Sequence, residues 1–346
     1  MGIKKKYSKP FGDLNSLKTN FFDNNDGMLD MADGMADVLL MQPKRTTCKI
    51  CHAKLSKPLY VSHRIGYIEC PVCGHLNSEC EDTDDFASKV YIEDDYSKNY
   101  SAADRESYIR RRDMIYMPKA EYLRDCLVHD GISPEETNIL DIGAGCGYFV
   151  SAARKLGMKA VGIEVSDSEV AYGNAMAEEE IVTHIGLTDS IGYIEKTDAN
   201  VISAVGVLEH LVHLDENLEA IRKNNNIRYV FASVPMFSFS SCFEVAFANG
   251  YNRHTGGTHT HLFTNESVEK MADGIGFEIA YEWRFGSDIN DLYRFLMVSM
   301  QKNHNEEFSR YFSEKFVPLM DDLQAIIDRS EFASELHFIL RRKELQ

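Results

Sequence analysis

The chain has 346 residues, enough for one large domain and a small one. Hydrophobic residues make up 44% and charged residues 26%, the balance of a globular protein. The net charge of −17 argues against a nucleic-acid substrate, because phosphate binding needs clustered Lys and Arg. The sequence has no apolar run of the roughly 18 residues that a membrane helix needs and no signal-peptide core, so we expect a cytoplasmic protein without membrane insertion.

The chain divides into four predicted segments. Residues 1–44 are polar and rich in Asn, Asp, Gly and Lys, which predicts a flexible N-terminal arm with room for a short helix. Residues 45–80 hold two close pairs of cysteines. Residues 81–130 are acidic and then aromatic, and they end in a predicted helix, so we interpret them as a helical cap or linker. Residues 131–346 form the largest segment.

The cysteine pairs Cys48/Cys51 and Cys70/Cys73 have the spacing C-x2-C-x18-C-x2-C. This spacing is typical of a zinc ribbon, in which four thiolates surround one Zn²⁺. Because four protein ligands leave no open coordination position, the predicted zinc is structural. A reduced, metal-free loop is the alternative. Three nearby histidines are interpreted as solvent-exposed side chains rather than ligands: His52, His63 and His75.

From residue 138 onward, short apolar strands alternate with helices. The predicted strands are Asn138–Ile142, Ala160–Val165, Val182–Leu187, Val201–Val207, Arg228–Val234, Phe277–Trp283 and Leu336–Leu340. Between the strands, helices are predicted at Tyr148–Leu156, Asp167–Glu180, Leu214–Lys223 and Asn265–Gly274. Two further helical stretches, Asn290–Gln301 and Glu306–Asp328, suggest a helical insertion at about 288–330. This alternation predicts an α/β fold with a parallel sheet and helices on both faces.

The loop after the first of these strands reads DIGAGCG from Asp141 to Gly147. Its glycines permit a sharp turn and let a ligand approach the main chain. Dinucleotide folds use GxGxxG instead and hold a pyrophosphate at the following helix. Here Asp141 would repel a pyrophosphate and suits a ligand with an ammonium group. Glu164 ends the next strand, where a carboxylate can accept both hydroxyls of a ribose. A plain strand–helix turn is the alternative.

These motifs resemble the class I methyltransferases, which use S-adenosylmethionine (SAM). The resemblance rests on the runs LDIGAGCGYF, VGIEVS and VLEHL and spans roughly residues 120–285. It implies a Rossmann-like sheet of seven strands with one antiparallel strand near its end, which would be Leu336–Leu340. Family members often have Asp before the fourth strand, where this chain has Asn200, a position that we interpret as structural.

The resemblance also implies which residues contact SAM. Around its methionyl part it places Asp141, Gly143, Gly145 and Gly147. It assigns the ribose to Glu164 and the flank of the adenine to Val165. Beside the sulfonium and the acceptor it places Val207, Glu209 and His210.

A zinc ribbon ahead of such a domain resembles a subset of methyltransferases that act on nucleotide-linked sugars or surface glycans. Their acceptor loop often reads His-Glu-His-Leu, whereas this chain has His259-Thr260-His261-Leu262. In the sugar C-methyltransferases of this type, the loop supplies the general base. The resemblance therefore implies that Thr260 favours O-methylation over C-methylation.

The loop from Tyr251 to His261, called the histidine-rich loop below, follows the fifth strand. Ligands of open α/β sheets bind at the carboxyl ends of the strands. We predict that His259 or His261 takes a proton from an acceptor hydroxyl, with His254 as a further catalytic candidate. Alternatively, these histidines only hydrogen-bond the loop. A metal site made of the three is disfavoured, because no carboxylate stands close among them.

The sequence therefore predicts a SAM-dependent methyltransferase that acts on a small molecule, with a sugar or glycan hydroxyl as acceptor. The expected cofactors are SAM and a structural Zn²⁺. One alternative is a methyltransferase of proteins or tRNA, although the acidic charge argues against tRNA. Another is a non-catalytic SAM-binding protein that uses the zinc ribbon for interactions. The glycine loop and the histidine-rich loop argue against this alternative.

Overall fold

The computed structural model describes residues 3–9, 24–92, 104–251, 253–255 and 259–344 of the chain. Its strands are β1 (Lys4–Tyr7), β2 (Tyr60–Ser62), β3 (Ile65–Glu69), β4 (Leu76–Ser78), β5 (Asn138–Ile142), β6 (Lys159–Glu164), β7 (Val182–His184), β8 (Val201–Val205), β9 (Tyr229–Pro235), β10 (His261–Leu262), β11 (Phe277–Arg284) and β12 (Glu335–Arg342).

The α-helices are Asn25–Leu40, Asp84–Ala87, Arg105–Arg111, Met117–His129, Tyr148–Lys155, Asp167–Ala177, Ser190–Lys196, Leu214–Lys223, Phe239–Ala246, Asn265–Gly274, Asp288–Lys302, Glu306–Phe316 and Met320–Arg329. Short π-helical and 3-10 turns stand at Ser88–Ile92, Arg112–Tyr116, Pro134–Glu136, Leu208–His210 and Val317–Leu319. In the part of the chain that the structure describes, no helix combines the length and the apolar character needed to cross a membrane.

The main sheet has eight strands in the order β1-β11-β12-β9-β8-β5-β6-β7. Strands β5 to β9 pair in parallel, whereas β12 is antiparallel to both β9 and β11. The neighbouring residues Val201 and Ile202 on β8 belong to different hydrophobic cores, because successive side chains of a strand point to opposite faces. The predicted Rossmann-like α/β fold, with helices on both faces and an antiparallel strand near one end, is confirmed.

In its described parts, the N-terminal arm is more ordered than predicted. β1 adds an eighth strand beside β11, and the Lys6 ammonium lies 3.8 Å from the centroid of the Trp283 ring. The helix Asn25–Leu40 buries Ala36 and Leu39 in a core shared with the cysteine-rich segment. The prediction of a flexible arm is therefore wrong for these residues, because sheet pairing and helix packing order a segment of polar composition.

The cysteine-rich segment forms a second, smaller sheet in the order β10-β4-β3-β2. Three of its strands come from residues 60–78, but β10 comes from the histidine-rich loop and pairs antiparallel with β4, His261 opposite Asn77. The two parts of the molecule are thus joined by a shared sheet. No sequence pattern indicates this pairing, since β10 has only two residues.

Candidate functional site

A cavity of about 480 Å³ opens at the carboxyl ends of β5, β6 and β8. β5 lies between β6 and β8, so the chain order reverses there, and this switch point is where open α/β sheets bind ligands. Of the nine residues predicted to contact SAM, eight line the cavity: Asp141, Gly143, Gly145, Glu164, Val165, Val207, Glu209 and His210.

The glycine loop has a backbone that only glycine adopts without strain. Gly143 and Gly145 have φ angles of +61° and +53°. A Cβ on Gly143 would lie 2.8 Å from Cγ2 of Val207, whereas a Cβ on Gly145 would meet only the Glu169 carboxylate, at 3.9 Å. Gly147 does not line the cavity; a Cβ there would press on Ile181 and Val182. Gly143 and Gly147 thus serve packing, and Gly145 leaves space for a ligand.

Glu164 is held in place by backbone N–H groups. Its Oε2 accepts a hydrogen bond from the Gly145 N–H at 2.8 Å. Its Oε1 accepts from the N–H groups of Val165 and Ser166, at 2.7 and 3.0 Å. Because each carboxylate oxygen can accept more than one hydrogen bond, the fixed carboxylate can still receive ligand hydroxyls.

Asp141 is buried at the end of β5, and its Oδ1 accepts a 2.5 Å hydrogen bond from the Ser203 hydroxyl. Burial raises the pKa of Asp141 to about 7. Burial likewise raises the pKa of Glu169, which also lines the cavity, to about 7. Together with Glu164, three acidic side chains face this end of the cavity, which suits a cationic ligand. Ser203 was missed in the sequence, because a serine inside a strand carries no distinctive signal.

The three predicted catalytic histidines have different surroundings. His259 lines the cavity, and its Nδ1–H donates to the His254 carbonyl at 3.0 Å, which leaves the Nε2 lone pair available. His254 also lines the cavity, but its Nε2–H donates to the Met236 carbonyl at 2.9 Å. Burial lowers the pKa of His259 to about 4 and that of His254 to about 3, so both rings are neutral near pH 7.

His261 has no exposed surface and does not line the cavity. It shares a 2.9 Å hydrogen bond with Nε2 of His75, whose Nδ1 lies 3.1 Å from the Ser267 hydroxyl. The structure therefore does not support His261 as a base, because a substrate cannot reach it. The interpretation of His75 as exposed is also wrong, since it is fully buried in this contact.

A carboxylate does stand beside the histidine-rich loop. One potential ligand atom from each of Glu209, His210 and His259 lies within 4.8 Å of the others. Nδ1 of His210 lies 2.9 Å from the Tyr91 hydroxyl, a partner that the sequence did not reveal. Burial raises the pKa of Glu209 to about 8. This cluster differs from the set of three loop histidines considered in the sequence, which did not reveal it because the carboxylate comes from the segment after β8.

The four predicted zinc ligands converge. Sγ of Cys48 lies 3.6 Å from Sγ of Cys73, and Sγ of Cys51 lies 3.5 Å from Sγ of Cys70. A tetrahedron with Zn–S bonds of about 2.3 Å requires sulfurs roughly 3.8 Å apart, so the four thiols fit a zinc ion. Gly74, which follows the second pair, has a φ of +68°, the backbone turn that closes this knuckle.

His259 and Thr260 of the histidine-rich loop are hydrogen-bonded to this cysteine-rich sheet. The Ser78 N–H donates to the Thr260 carbonyl at 2.8 Å, and the Tyr67 hydroxyl donates to the His259 carbonyl at 3.1 Å. Thr260 itself is buried and does not line the cavity. The side chain at position 260 therefore does not face the cavity, so the presence of Thr there does not distinguish O-methylation from C-methylation.

The sequence matches a family model described as a methyltransferase domain over residues 110–282, half of the chain. No curated protein matches it. Among solved structures it is similar to magnesium protoporphyrin IX methyltransferase from Synechocystis PCC 6803 with bound S-adenosylhomocysteine, at 12% identity and a TM-score of 0.44, covering 71% of this chain and 93% of that one. A SAM-dependent methyltransferase from Archaeoglobus fulgidus has 17% identity and a TM-score of 0.42, covering 71% of this chain and 97% of that one.

The family match includes the glycine loop, Glu164 and the segment from Val207 to His210, the parts of the chain that line the cavity. Because the matched residues are also the ones that suit a cationic ligand, sequence and geometry agree on the cofactor. The chain belongs to this family of methyltransferase domains and is a SAM-dependent methyltransferase.

Proposed function

We propose that this methyltransferase transfers the methyl group of SAM to a hydroxyl of a small, sugar-containing acceptor. The observation that carries the proposal is that one cavity joins the acidic glycine loop to His259. A methyl transfer needs the nucleophile close to the sulfonium and free of its proton. With Nδ1 bound to the His254 carbonyl, the Nε2 lone pair of His259 is available at the cavity. His259, rather than His261, is thus the residue that assists deprotonation.

The cationic side chains of the cavity favour an acceptor that carries phosphate. Arg111, Lys119 and Arg253 line the cavity. Arg253 is held by Asp291 at 2.9 Å, and Lys119 lies 3.7 Å from Glu335, so both are positioned before a ligand arrives. Arginine binds phosphate through paired N–H groups. A nucleotide-linked sugar, with its phosphates and its hydroxyls, fits this combination.

We also propose that residues 45–80 form a zinc ribbon with one structural Zn²⁺ held by four cysteines. The sulfur separations of 3.5 and 3.6 Å support this proposal. Because such a site has no open position, the ion would stabilise the fold and would not react with the acceptor.

Isotopically labelled SAM and a panel of free and nucleotide-linked sugars test the function. We expect S-adenosylhomocysteine to accumulate with an acceptor of this class, and the labelled methyl to show the NMR shift of a methyl ether. His259→Ala should lower turnover by about 10²–10⁴-fold, the usual contribution of a group that assists proton transfer, while SAM affinity stays unchanged.

Three results would contradict the proposal. A carbon-bound methyl in the product would exclude a hydroxyl acceptor. Activity found only with cell extract, and lost after protease or nuclease treatment, would favour a protein or tRNA substrate instead. If no extract supports turnover of SAM, the protein binds SAM without catalysis.

A further inference from the structure

We propose that Glu209, His210 and His259 form a second metal site, separate from the cysteines, which holds a divalent cation against the acceptor hydroxyl. The inference rests on the proposed function, since it specifies how a hydroxyl would lose its proton. The three residues come from two segments that lie far apart in the sequence, the turn after β8 and the histidine-rich loop. Their potential ligand atoms nevertheless lie within 4.8 Å of one another, at the wall of the same cavity.

The Glu209 carboxylate is the observation that points to a cation. Glu209 is 3% exposed and lines the cavity. Within the described residues, no hydrogen-bond partner reaches its Oε2. Buried polar atoms are nearly always hydrogen-bonded, and those that are not call for an explanation such as an absent ion. A cation bound at Oε2 supplies the missing partner.

The histidines have the supporting contacts of metal ligands. A ligating imidazole usually donates its second N–H to a carbonyl or another oxygen, which fixes the ring and the tautomer. His259 donates from Nδ1 to the His254 carbonyl at 3.0 Å, and its Nε2 is left as the ligand atom. Nδ1 of His210 lies 2.9 Å from the Tyr91 hydroxyl, so its Nε2, 3.8 Å from Oε1 of Glu209, is the corresponding atom.

Two imidazoles and one carboxylate on one side of an ion leave its other positions open. This donor set suits a divalent transition metal such as Mn²⁺, Fe²⁺ or Co²⁺, whereas the four thiols of the ribbon select zinc. An acceptor hydroxyl on an open position becomes more acidic, because the cation stabilises the alkoxide. The O–H bond then breaks and the proton leaves to solvent. The alkoxide electron pair forms the new O–C bond to the methyl group, and the C–S pair stays on sulfur as neutral S-adenosylhomocysteine.

Manganese binding tests the site without any acceptor. Protein with its zinc retained and other metals removed is titrated with Mn²⁺, and free Mn²⁺ is followed by electron paramagnetic resonance. We expect one bound Mn²⁺ per chain. Glu209→Gln and, separately, His259→Ala should each weaken binding by at least about tenfold, as changes around metal ligands do. Thermal unfolding of each variant checks that it is folded.

The matched control is His213→Gln, three residues beyond His210. His213 lies at the same cavity and contacts Asp84 and Glu216, both at 2.8 Å, instead of the cluster. This variant should bind Mn²⁺ as the wild type does. Absence of Mn²⁺ binding in the wild type, or wild-type affinity in Glu209→Gln and His259→Ala, would overturn the inference.

Turnover separates this inference from the proposed function. Undiminished O-methylation by zinc-loaded protein without a second metal would overturn the cation site and leave the hydroxyl acceptor standing. A carbon-methylated product from protein that binds Mn²⁺ at Glu209 would overturn the hydroxyl acceptor and leave the cation site standing. Rate enhancement by Mn²⁺ together with a methyl ether product supports both.

Discussion

The pKa of Asp141 depends both on its burial and on the charge of the bound cofactor. Its pKa is about 7 because burial disfavours the ionised form, and the hydrogen bond from Ser203 offsets this only in part. The ammonium group of SAM would favour the ionised carboxylate, since an opposite charge nearby lowers the pKa of an acid. Binding of SAM should therefore remove a proton from Asp141 whenever the pH lies below about 7.

We accordingly predict that SAM affinity falls as the pH drops from 8 to 6. Above the pKa of about 7, Asp141 is already ionised and binding needs no deprotonation. Below it, each pH unit should weaken binding by up to about tenfold. Calorimetry at both pH values measures the effect. Asp141→Asn should bind SAM more weakly at pH 8 and lose the pH dependence. A dependence that persists in this variant would assign it to the other buried carboxyls of the cavity, Glu169 with a pKa of about 7 or Glu209 with a pKa of about 8.

Residues in local motifs are easier to place from a sequence than residues that only the fold brings together. Asp141 and Glu164 stand at fixed places relative to a glycine loop and a strand end, so their position follows from a few neighbouring residues. His75 and His261 are 186 residues apart, and their mutual burial depends on the pairing of two sheets. No local pattern contains that information, which is why one was expected to be exposed and the other to reach a substrate.

Among the elements, those with a clear apolar pattern were predicted closely, and those that form mainly by pairing with a sheet edge were missed. The helices Leu214–Lys223 and Asn265–Gly274 begin and end where their apolar spacing indicates, and Thr264 caps the second of them. β1 reads Lys-Lys-Lys-Tyr and has no hydrophobic alternation. It is a strand because the edge of β11 offers unpaired N–H and carbonyl groups. β10 likewise forms because it pairs with the edge of β4.

Because β10 pairs with β4, the cysteine-rich sheet supports the end of the histidine-rich loop. We predict that Tyr67→Phe, which removes the hydroxyl that donates to the His259 carbonyl, lowers methyl transfer while SAM affinity stays unchanged. The lost hydrogen bond is worth about 0.5–1.5 kcal/mol, so the protein should remain folded. Turnover at saturating SAM and calorimetry with SAM measure the two effects.

Tyr60→Phe is the matched control, because Tyr60 stacks on Tyr67 with ring centroids 5.4 Å apart and loses the same atom. Equal loss of turnover in both variants would attribute the effect to general loosening of the sheet. Loss confined to Tyr67→Phe would support the specific bond to the loop.

At the scale of the whole molecule, the predicted zinc and the cavity are connected through one sheet. Cys73 precedes His75 by two residues, and His75 contacts His261 on β10. A zinc ion with four protein ligands has no open coordination position, so its loss need not change the chemistry. The shared sheet changes that expectation. Because β10 pairs with β4, disorder in the ribbon would displace β10, and with it His259, which lies two residues before His261.

Cys70→Ser tests this connection. The variant should lose its zinc, unfold at a lower temperature and transfer methyl groups more slowly, because a ribbon of this size depends on its metal for folding. SAM affinity should be unchanged, since the glycine loop and Glu164 belong to the main sheet.

Cys80→Ser is the control: Cys80 is buried in the same segment but lies outside the group of four thiols, so this variant should keep both zinc and activity. Elemental analysis, thermal unfolding, calorimetry and turnover give the four readouts. Full turnover in a zinc-free Cys70→Ser protein would mean that the histidine-rich loop keeps its position without the ribbon.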